Sequence, residues 1–292
     1  MKVSYYPGCT LKSNAKNFED STLCALRELG VDVQELKRWN CCGTVYSLAT
    51  DDLMRHLASV RNLIRVKEAE SDSVMTLCAM CYNTLKRVNE RVKADPESLQ
   101  KIHKFMDEEK ITYQGDVKVR HLLELLREDI KFETIQKKVK RPLQKLKVAS
   151  YYGCLLVRPK EIGLDDMENP TVLDDLMIAL GAESVDFPYK TECCGAYQTV
   201  DKPETVANRT YSILSSARTR GAEVVSVSCP LCAFNLDHRQ KDAAETHSDF
   251  RKLPILYFTQ LLAIAMGCGE DSLRLDLHYV DPKPLLRQKG LI

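Results

Sequence analysis

Short apolar runs alternate with apolar residues at helical spacing along most of the chain. In the first half, the runs at 3–6, 31–36 and 73–77 are typical of short buried strands. Between them, over 15–29 and 53–64, apolar residues recur at the three- and four-residue intervals of one helix face. This order predicts strand, helix, strand, helix and strand, with a further helix after the third strand.

The second half repeats that order of elements. A helix is predicted to begin at Asp201, where Asp-Lys-Pro-Glu supplies a capping acid and an early proline, and its first-half counterpart begins near Asp51. Gly30 and Gly181 are placed to end helices. The strand-like runs of this half lie at 147–152, 183–187 and 223–228.

The repeated order predicts the fold class and its domains. We expect an α/β protein of two tandem, pseudo-symmetric halves, each a small, mostly parallel sheet flanked by helices. In this prediction residues 1–130 form the first half, and residues 147–292 form the second half with a C-terminal helix and tail. Residues 131–146 form a basic linker, for which a solvated helix broken at Pro142 is favoured over a docking face for an acidic redox partner.

Ten of the twelve cysteines also repeat in order. In the first half, 31 residues separate the first cysteine from a Cys-Cys pair, and 35 more lead to a Cys-x-x-Cys motif; the second-half gaps are 38 and 34. Each group follows a predicted strand, and parallel strands bring their carboxyl ends to one edge of a sheet, so each set should converge. The first cysteine set is Cys9, Cys41, Cys42, Cys78 and Cys81, and the second cysteine set is Cys154, Cys193, Cys194, Cys229 and Cys232.

Five convergent thiols could bind a structural zinc ion, form disulfides or hold an iron–sulfur cluster. A structural zinc site takes four tetrahedral ligands, and adjacent cysteines do not easily span two corners of one tetrahedron. Disulfides are disfavoured because bonding an adjacent pair would strain the peptide between them, and because the chain shows no sign of export. An iron–sulfur cluster fits better, since neighbouring thiolates can bind different irons. A four-iron cubane needs four thiolates, so a fifth indicates an unusual cluster or a bridging thiolate.

Glycines flank the cysteines at matched positions in the two halves. Gly8 and Gly153 precede the first cysteine of each set, and Gly43 and Gly195 follow the Cys-Cys pair. A residue without Cβ lets the backbone approach a cluster closely and direct N–H groups towards it. An ordinary turn is the alternative interpretation of each one, but four matched positions favour a cluster.

Other residues carry weaker signals. Cys24 lies in the first predicted helix, where a buried packing thiol is the default, and Cys268 has no assigned role. Of the six histidines, only His238 lies close to a motif, six residues beyond Cys232. Four tyrosines near the first cysteine of each set are expected to cover the cluster, and Tyr6 or Tyr152 could donate a proton. The four are Tyr5, Tyr6, Tyr151 and Tyr152.

Composition and charge argue against several partners. The net charge is +1 and no basic patch is interleaved with aromatic residues, so neither nucleic acid nor an anionic membrane is expected as a partner. The first residues lack the apolar core of a signal peptide, which favours the cytoplasm. The most apolar stretch, 253–267, is interrupted by Thr259 and Gln260, and a buried helix is favoured over an interfacial one or a membrane span.

The pattern C-x31-CCG-x35-CxxC, repeated as C-x38-CCG-x34-CxxC, resembles the cysteine-rich CCG domain over nearly the whole chain. The chain looks like the B subunit of heterodisulfide reductase, in a form similar to bacterial members, because Leu155 stands where methanogen members carry a histidine. The resemblance implies two non-cubane [4Fe-4S] clusters, with each cysteine set as the cofactor and metal ligands of one. No side chain is assigned as catalytic, and the cluster irons are the implied reactive centres.

The resemblance also implies an activity and partners. The chain would be an oxidoreductase acting on sulfur groups, a catalytic subunit that reduces a small disulfide to two thiols, or the reverse, by one-electron steps at two clusters. Electrons would arrive through a ferredoxin-like C subunit and a flavin-bearing A subunit. We expect the second cysteine set to face the substrate, because the loops after Cys154 and Cys194 are where family members diverge. Arg158 and Lys160 could meet an anionic substrate, although solvated surface is the favoured interpretation of each.

Two alternatives remain open at the level of sequence. The chain could be an electron-relay or membrane-docking CCG subunit of a succinate dehydrogenase or thiol:fumarate reductase-type complex, with the 253–267 helix lying on a membrane. The other alternative is a protein-interaction module held together by structural zinc, without redox chemistry. It ranks far below both the disulfide reductase and the electron-relay subunit.

Overall fold

The computed structural model describes residues 1–43 and 56–292, and the strands of these residues form two four-stranded parallel sheets, one in each half. The strands are β1 (Lys2–Tyr5), β2 (Asp32–Glu35), β3 (Ser73–Thr76), β4 (Lys118–His121), β5 (Lys147–Tyr151), β6 (Glu183–Ser184), β7 (Val224–Val227) and β8 (Ile255–Tyr257). Their spatial order is β2-β1-β3-β4 in the first sheet and β6-β5-β7-β8 in the second. The two halves therefore share one topology, which confirms the predicted α/β fold class.

Helices connect and cover these strands. In the described part of the chain they are α1 (Lys16–Leu29), α2 (Leu57–Glu68), α3 (Ala79–Ala94), α4 (Pro96–Phe105), α5 (Leu122–Glu124), α6 (Phe132–Lys138), α7 (Val172–Ala179), α8 (Pro203–Thr219), α9 (Pro230–His238), α10 (Gln240–Thr246), α11 (Phe258–Ala265), α12 (Glu270–Leu273) and α13 (Lys283–Gln288). A π-helical segment, Leu125–Ile130, continues α5. Short 3-10 turns lie at Ala196–Gln198 and Leu275–Leu277.

The sequence predicts three strands in each half, and the structure has a fourth at one edge of each sheet. β4 reads Lys-Val-Arg-His, four residues in which polar and apolar positions alternate too briefly to give a clear signal. β8 begins inside the stretch 253–267, for which the sequence favours a helix, and its Val225↔Ile255 pairing with β7 shows why it is extended. Short edge strands depend on their neighbours for hydrogen bonds, so local pattern alone does not reveal them.

The predicted helix boundaries are partly confirmed. Gly30 ends α1 in the left-handed conformation (φ +82°) and closes its last turn through its backbone N–H. α8 begins with Pro203 in its first turn, as expected. The predicted cap at Asp201 is wrong, because Lys202 is the N-cap residue and no side chain caps the helix. The predicted helix start near Asp51 lies outside the described residues.

The most apolar stretch of the chain is part strand and part helix. It forms β8 and α11, and every side chain from 255 to 266 is buried. α11 packs against α1 of the other half, where Ser21 Oγ and Thr259 Oγ1 lie 2.8 Å apart. This apolar surface therefore covers the first half of the same chain. Among the helices of residues 1–43 and 56–292, none combines the length and the apolar character needed to cross a membrane.

The basic stretch between the halves is tied to both of them. α6 ends at Lys138, so its helix stops before Pro142 is reached. Lys138 Nζ donates to the Leu29 carbonyl of the first half at 3.0 Å. The Lys140 backbone N–H donates to the Ala265 carbonyl of the second half at 2.8 Å. This stretch is a connector held against the protein rather than a free helix, and the domain boundaries proposed from the sequence stay a prediction.

One disulfide joins the two halves. Cys24, in the middle of α1, is bonded to Cys268, just beyond α11. The interpretation of Cys24 as a packing thiol is therefore wrong, and Cys268 is its partner. The two residues are 244 positions apart, and they meet only because α1 packs against α11.

Candidate metal centres

The parallel sheets bring each cysteine set to the carboxyl ends of its strands. Cys9 and Cys154 lie just beyond β1 and β5. Cys78 and Cys229 follow β3 and β7 and are the N-cap residues of α3 and α9. Each Cys-x-x-Cys motif thus starts on an extended residue and continues into the first turn of a helix. This placement at the strand ends agrees with the convergence expected from the sequence.

The five sulfurs of the first cysteine set form a row of contacts. Cys9 Sγ lies 3.8 Å from Cys41 Sγ, and Cys42 Sγ donates to Cys81 Sγ at 3.6 Å. Cys42 is the first cause that raises the pKa of the Cys41 thiol, and Cys42 followed by Cys78 raises the pKa of the Cys81 thiol, so these side chains are neighbours as well. The order along the row is Cys9, Cys41, Cys42, Cys81 and Cys78.

The second cysteine set forms the same row from the matching residues. Cys193 is the first cause that raises the pKa of the Cys154 thiol, and Cys154 followed by Cys194 lowers the pKa of the Cys193 thiol, so these three side chains are neighbours. Cys194 followed by Cys229 raises the pKa of the Cys232 thiol, and all five residues of the set line one small cavity. The repeat that the sequence shows in order is therefore a repeat in space as well.

The two rows meet at the junction of the halves. Cys229 is the first cause that raises the pKa of the Cys78 thiol, so these two side chains are neighbours. Beside them, the backbone N–H of Ala79 donates to the Ser228 carbonyl at 3.2 Å, so the backbones also touch. All ten thiols consequently form one continuous row whose midpoint lies between the halves.

The shape of this row distinguishes two kinds of metal site. Within residues 1–43 and 56–292, no three His, Cys, Asp or Glu side chains are grouped around a position for one metal ion. Sulfurs in a row suit a cluster of several irons, in which successive thiolates bind different irons. The donor set therefore fits an iron–sulfur cluster better than a tetrahedral zinc ion.

Two glycines let the backbone pass directly beside the sulfurs. Gly8 has φ +74°, and a Cβ at this residue would lie 3.0 Å from Cys81 Sγ. Gly153 has φ +64°, and its Cβ would lie 3.2 Å from Cys232 Sγ. A side chain at either position would strain the backbone and press on a cysteine sulfur. This close approach supports the interpretation of both glycines as part of a cofactor cradle.

Burial and crowding make the thiols hard to ionise together. Hydrogen bonding, first with Cys42, together with burial raises the pKa of the Cys81 thiol well above its ordinary value. Hydrogen bonding, first with Cys194, together with burial does the same to the pKa of the Cys232 thiol. Several thiolates at contact distance repel one another unless positive charge lies among them. The iron of a cluster would supply that charge, so the electrostatics also fit such a cofactor.

A tyrosine in each half ties the first cysteine strand to the Cys-Cys segment. Tyr6 donates its hydroxyl hydrogen to the Asn40 carbonyl at 2.8 Å, and Tyr151 donates to the Glu192 carbonyl at 2.5 Å. Each acceptor is the residue just before a Cys-Cys pair. Burial, with added repulsion from the cysteine thiolates, raises the pKa of both hydroxyls. Both hydroxyls therefore remain protonated, and each holds the strand before the first cysteine against the Cys-Cys segment.

The other two tyrosines face carboxylates. Tyr5 donates to Glu19 Oε1 at 3.1 Å, and Tyr152 donates to Asp174 Oδ2 at 2.5 Å. Burial is the main cause that raises the pKa of the Tyr152 hydroxyl, and Asp174 adds to it. The hydrogen of Tyr152 is thus committed to a carboxylate, which weakens its candidacy as a proton donor.

Several neighbours of the cysteines carry no sequence signal. Asn235 Nδ2 donates to the Cys194 carbonyl at 3.2 Å and lies 3.6 Å from its Sγ. In the first half, Ser59 Oγ donates to the Cys42 carbonyl at 2.7 Å. A buried Asn or Ser on a helix resembles any other satisfied polar residue, so only the folded structure reveals these contacts.

His121 holds the backbone just before the first Cys-x-x-Cys motif in place. Its Nδ1 accepts the Leu123 N–H at 3.2 Å, so Nε2 carries the hydrogen that is donated to the Leu77 carbonyl at 2.7 Å. Leu77 directly precedes Cys78. The ring is fully buried, and burial lowers the pKa of His121 to about 4. A neutral histidine therefore holds the end of the strand that presents Cys78.

Three residues considered in the sequence as possible ligand or substrate contacts remain, namely His238, Arg158 and Lys160. His238 stacks on Phe234 with ring centroids 4.9 Å apart, and in the described residues it belongs to no metal-binding group. Arg158 donates to the Thr191 carbonyl at 3.0 Å, which gives it a structural role within the second half. Lys160 is exposed.

The chain matches the family model of the cysteine-rich CCG domain twice, over residues 3–86 and 148–237. The two matches cover more than half of the chain and contain all ten repeated cysteines. The chain is also 30% identical over 96% of its length to a protein named as the B subunit of a heterodisulfide reductase. It therefore belongs to the cysteine-rich CCG domain family, in the form that resembles the heterodisulfide reductase B subunit.

Three relatives illustrate the range of the family. The 8-methylmenaquinol:fumarate reductase membrane anchor subunit of Wolinella succinogenes is 31% identical over 97% of this chain and 99% of its own. The B subunit of the ferredoxin:CoB-CoM heterodisulfide reductase of Methanosarcina mazei is 30% identical over 96% of this chain and 94% of its own. A protein of Archaeoglobus profundus that is named as similar to the heterodisulfide reductase B subunit is 26% identical over 91% of each chain.

A solved structure shares the fold. The crystal structure of a hypothetical protein from Helicobacter pylori superposes with a TM-score of 0.77 at 15% identity and covers 95% of this chain. This chain spans about half of that protein, 51% of its length. At this identity the likeness concerns the fold alone. The family match, the thiol row and the glycine cradle together support iron–sulfur electron transfer.

Proposed function

We propose that this chain is an oxidoreductase subunit acting on sulfur groups, which reduces a small disulfide to two thiols or catalyses the reverse. In the reductive direction the sulfur–sulfur bond breaks, two electrons and two protons are taken up, and two thiols are released. The cofactors of this proposal are two non-cubane [4Fe-4S] clusters, one held by each cysteine set. When bound, they supply single electrons and iron positions that can accept a thiolate.

The meeting of the two cysteine sets at the junction, where the Ala79 N–H donates to the Ser228 carbonyl at 3.2 Å beside Cys78 and Cys229, carries this proposal. Cleaving one sulfur–sulfur bond takes two electrons, and iron–sulfur clusters deliver them one at a time. A protein that presents two cofactor sites end to end can serve both sides of one bond. No cysteine nucleophile is needed, because every thiol of both sets is a ligand in this proposal.

The burial of the row suits that chemistry. Cys42, Cys78 and Cys81 are buried, and so are the matching residues of the second set, whereas Cys9, Cys41 and Cys193 are exposed. The middle of the row is thus shielded from water while its ends are accessible. Shielding protects reduced centres from side reactions.

Electrons would come from companion subunits. The names of the relatives from Methanosarcina and Archaeoglobus support a heterodisulfide reductase-like complex. We place this chain beside a ferredoxin-like C subunit and a flavin-bearing A subunit, with a small disulfide or thiol as its substrate.

Metal analysis tests the cofactor. The anaerobically purified protein should contain about eight irons and about eight sulfides per chain, as two four-iron clusters require. Cys42→Ser and Cys194→Ser should each reduce the iron to about half, because each removes a ligand from one set. Cys24→Ser is the matched control and should retain all of it. Zinc without iron or sulfide would refute the cofactor assignment.

A single-turnover experiment tests the reaction. The protein is reduced with dithionite, freed of excess reductant and mixed with 2-hydroxyethyl disulfide. We expect two thiols per disulfide consumed, together with a new paramagnetic signal, and neither in the Cys42→Ser/Cys194→Ser double variant. If the fully loaded protein releases no thiol from any small disulfide, the proposed reaction is wrong.

A second candidate is favoured by one observation, the 31% identity with the membrane anchor subunit from Wolinella succinogenes over almost the whole of both chains. In that case the chain passes electrons between a flavoprotein and another acceptor. Purification of the native complex decides between the two. Flavin-bearing A and ferredoxin-like C subunits support the first candidate, and a succinate-oxidising flavoprotein supports the second.

A further inference from the structure

One amide side chain of the second half reaches a cysteine sulfur. Asn235 Nδ2 donates to the Cys194 carbonyl at 3.2 Å and to Cys194 Sγ at 3.6 Å. Asn235 lies in α9, three residues after Cys232, so these two side chains share one face of the helix. Asn235 and Cys194 are both buried. A proposed ligand of the second cluster therefore has a side-chain donor beside it, away from water.

The orientation of this amide follows from its neighbours. A carbonyl oxygen only accepts hydrogen bonds, so the end of the amide that faces the Cys194 carbonyl is the nitrogen. Thr210 Oγ1 of α8 donates to the Asn235 carbonyl at 3.2 Å and holds the backbone of Asn235 against that helix. Asn235 Oδ1 is buried and has no hydrogen-bond partner among the described residues. Burial of an unused acceptor is unfavourable, so packing alone would favour an apolar residue at this position.

The matching cysteine of the first half is held by a different kind of side chain. Ser59 Oγ donates to the Cys42 carbonyl at 2.7 Å, and a hydroxyl has one hydrogen to donate. An amide has two, so Asn235 can serve the carbonyl and the sulfur of one cysteine together. Ser59 thus offers a comparison in which the carbonyl contact is made without an amide.

Helix α3 also carries an amide, but it serves another purpose. Asn83 Nδ2 donates to the carbonyls of Leu155 (2.9 Å) and Arg158 (2.6 Å), and so joins α3 to a loop of the second half. The position that matches Asn235 holds Thr84, which has a hydroxyl in place of the amide. An asparagine next to the Cys-Cys pair is therefore a feature of the second half.

A donor at a ligand sulfur favours the reduced form of a cluster. An added electron increases the negative charge on the sulfurs, and a hydrogen bond to a charged acceptor is stronger than one to a neutral acceptor. Hydrogen bonds to the sulfurs are among the factors that set the reduction potential of an iron–sulfur cluster. In a buried site water does not weaken this effect. The Gly195 N–H, which donates to Cys193 Sγ at 3.3 Å, acts in the same direction.

We propose that Asn235 raises the reduction potential of the cluster on the second cysteine set by donating a hydrogen bond to Cys194 Sγ. The inference rests on the cofactors of the proposed function and adds a residue that controls how readily one of them is reduced. The reduction adds one electron and exchanges no atom. Dithionite supplies this electron in the experiment, and the ferredoxin-like subunit supplies it in the proposed complex.

A potentiometric titration followed by electron paramagnetic resonance tests this role. The signal of the second set is the one that survives Cys42→Ser and is lost in Cys194→Ser. Asn235→Leu removes both donated hydrogens at similar volume, so the ratio of reduced to oxidised second set at a given potential should fall about tenfold. For a one-electron step this is a midpoint potential lower by about 59 mV. Asn235→Gln keeps an amide and should lower the potential less.

Asn235→Thr is a second variant, chosen because threonine occupies the matching position of α3. Its single hydrogen cannot serve both the carbonyl and the sulfur, so the potential should fall here as well. Ser59→Ala is the matched control, since it removes the donor to the Cys42 carbonyl and should leave the second-set potential unchanged. Iron analysis and circular dichroism establish which variants are folded and loaded.

The wild-type potential in loaded Asn235→Leu and Asn235→Thr would overturn the proposal, and so would an equal fall in Ser59→Ala. If every variant at position 235 loses the iron of the second set, Asn235 is a structural residue and the tuning role is wrong.

Turnover separates this inference from the proposed function. If the protein releases thiols from 2-hydroxyethyl disulfide and the variants keep the wild-type potential, the role of Asn235 fails and the function stands. If the potential falls as expected but the wild type releases no thiol from any small disulfide, the proposed reaction fails and the role of Asn235 stands. A protein without iron and sulfide would refute both.

Discussion

Across the junction of the two halves, Ala79 donates its backbone N–H to the Ser228 carbonyl at 3.2 Å, and this contact brings the neighbouring Cys78 and Cys229 together. Each is the first cysteine of a Cys-x-x-Cys motif and the N-cap residue of a helix. This contact makes the two cysteine sets neighbours. A substitution at the junction should therefore affect both cysteine sets.

Cys78→Ser is expected to disturb both sets, because Cys78 is a proposed ligand in the first set and lies beside Cys229 of the second. Cys9→Ser, at the outer end of the row, should disturb only its own set. Iron content and the paramagnetic signals of the reduced protein measure the difference. We expect both signals to change in Cys78→Ser and one in Cys9→Ser. Identical spectra of the two variants would show that the sets are electronically independent.

Gly8→Ala and Gly153→Ala should each cost about half of the iron. Alanine in the left-handed region is destabilised by about 1–2 kcal/mol, and at both positions its Cβ also presses on a cysteine sulfur. Gly221→Ala is the matched control, because Gly221 has φ +94° but nothing within 4 Å of its Cβ position. The control should lose stability and keep its iron. Equal iron loss in all three variants would mean that backbone strain, and not contact with sulfur, is responsible.

The stability of the protein should fall between about pH 6.5 and about pH 4 in part because of His121. Burial lowers the pKa of His121 to about 4, so over this range the unfolded chain binds a proton that the folded chain does not. The contribution is present above the ordinary histidine pKa and is lost as the pH falls, and it amounts to about 3 kcal/mol at most. Urea unfolding at several pH values measures it.

His121→Gln isolates this contribution, because glutamine can still donate to the Leu77 carbonyl but does not titrate. Tyr82 and Phe258 pack around the ring and are the same in both proteins. The variant should be less stable than the wild type at pH 8 and should lose less stability on acidification. Parallel pH profiles would exclude His121 as a source of acid sensitivity.

The Cys24–Cys268 disulfide should stabilise the fold without affecting the cofactor. It closes a loop of 244 residues, and cross-links of long loops stabilise proteins by about 2–5 kcal/mol. The Cys24→Ser/Cys268→Ser double variant should lose that amount in non-reducing urea unfolding, and dithiothreitol should lower the stability of the wild type only. Its iron content should match the wild type, since neither residue belongs to a cysteine set. Loss of iron comparable to Cys42→Ser would contradict this separation of roles.

Much of the fold could be predicted because its signals are local. The glycine stop at Gly30 and the first-turn proline at Pro203 depend on a few neighbouring residues, and the structure shows both. β4 and β8 escape prediction because edge strands of three or four residues owe their conformation to the strand beside them. The cap at Asp201 fails for a similar reason, since the sequence does not show where the turn before α8 places its side chain.

The sequence by itself determined the family, the two-half α/β plan and the two repeated cysteine sets, because motif spacing and the order of elements are written along one chain. Only the tertiary structure decided how distant parts meet. It brought Cys78 to Cys229 and paired Cys24 with Cys268. It also joined α3 to the loop after Cys154 through Asn83, and it left a cleft between α9, at Phe234, and the segment that follows Cys9. Those contacts depend on how one half packs on the other, and such packing is set by the summed shape of two folded surfaces, which no local pattern encodes.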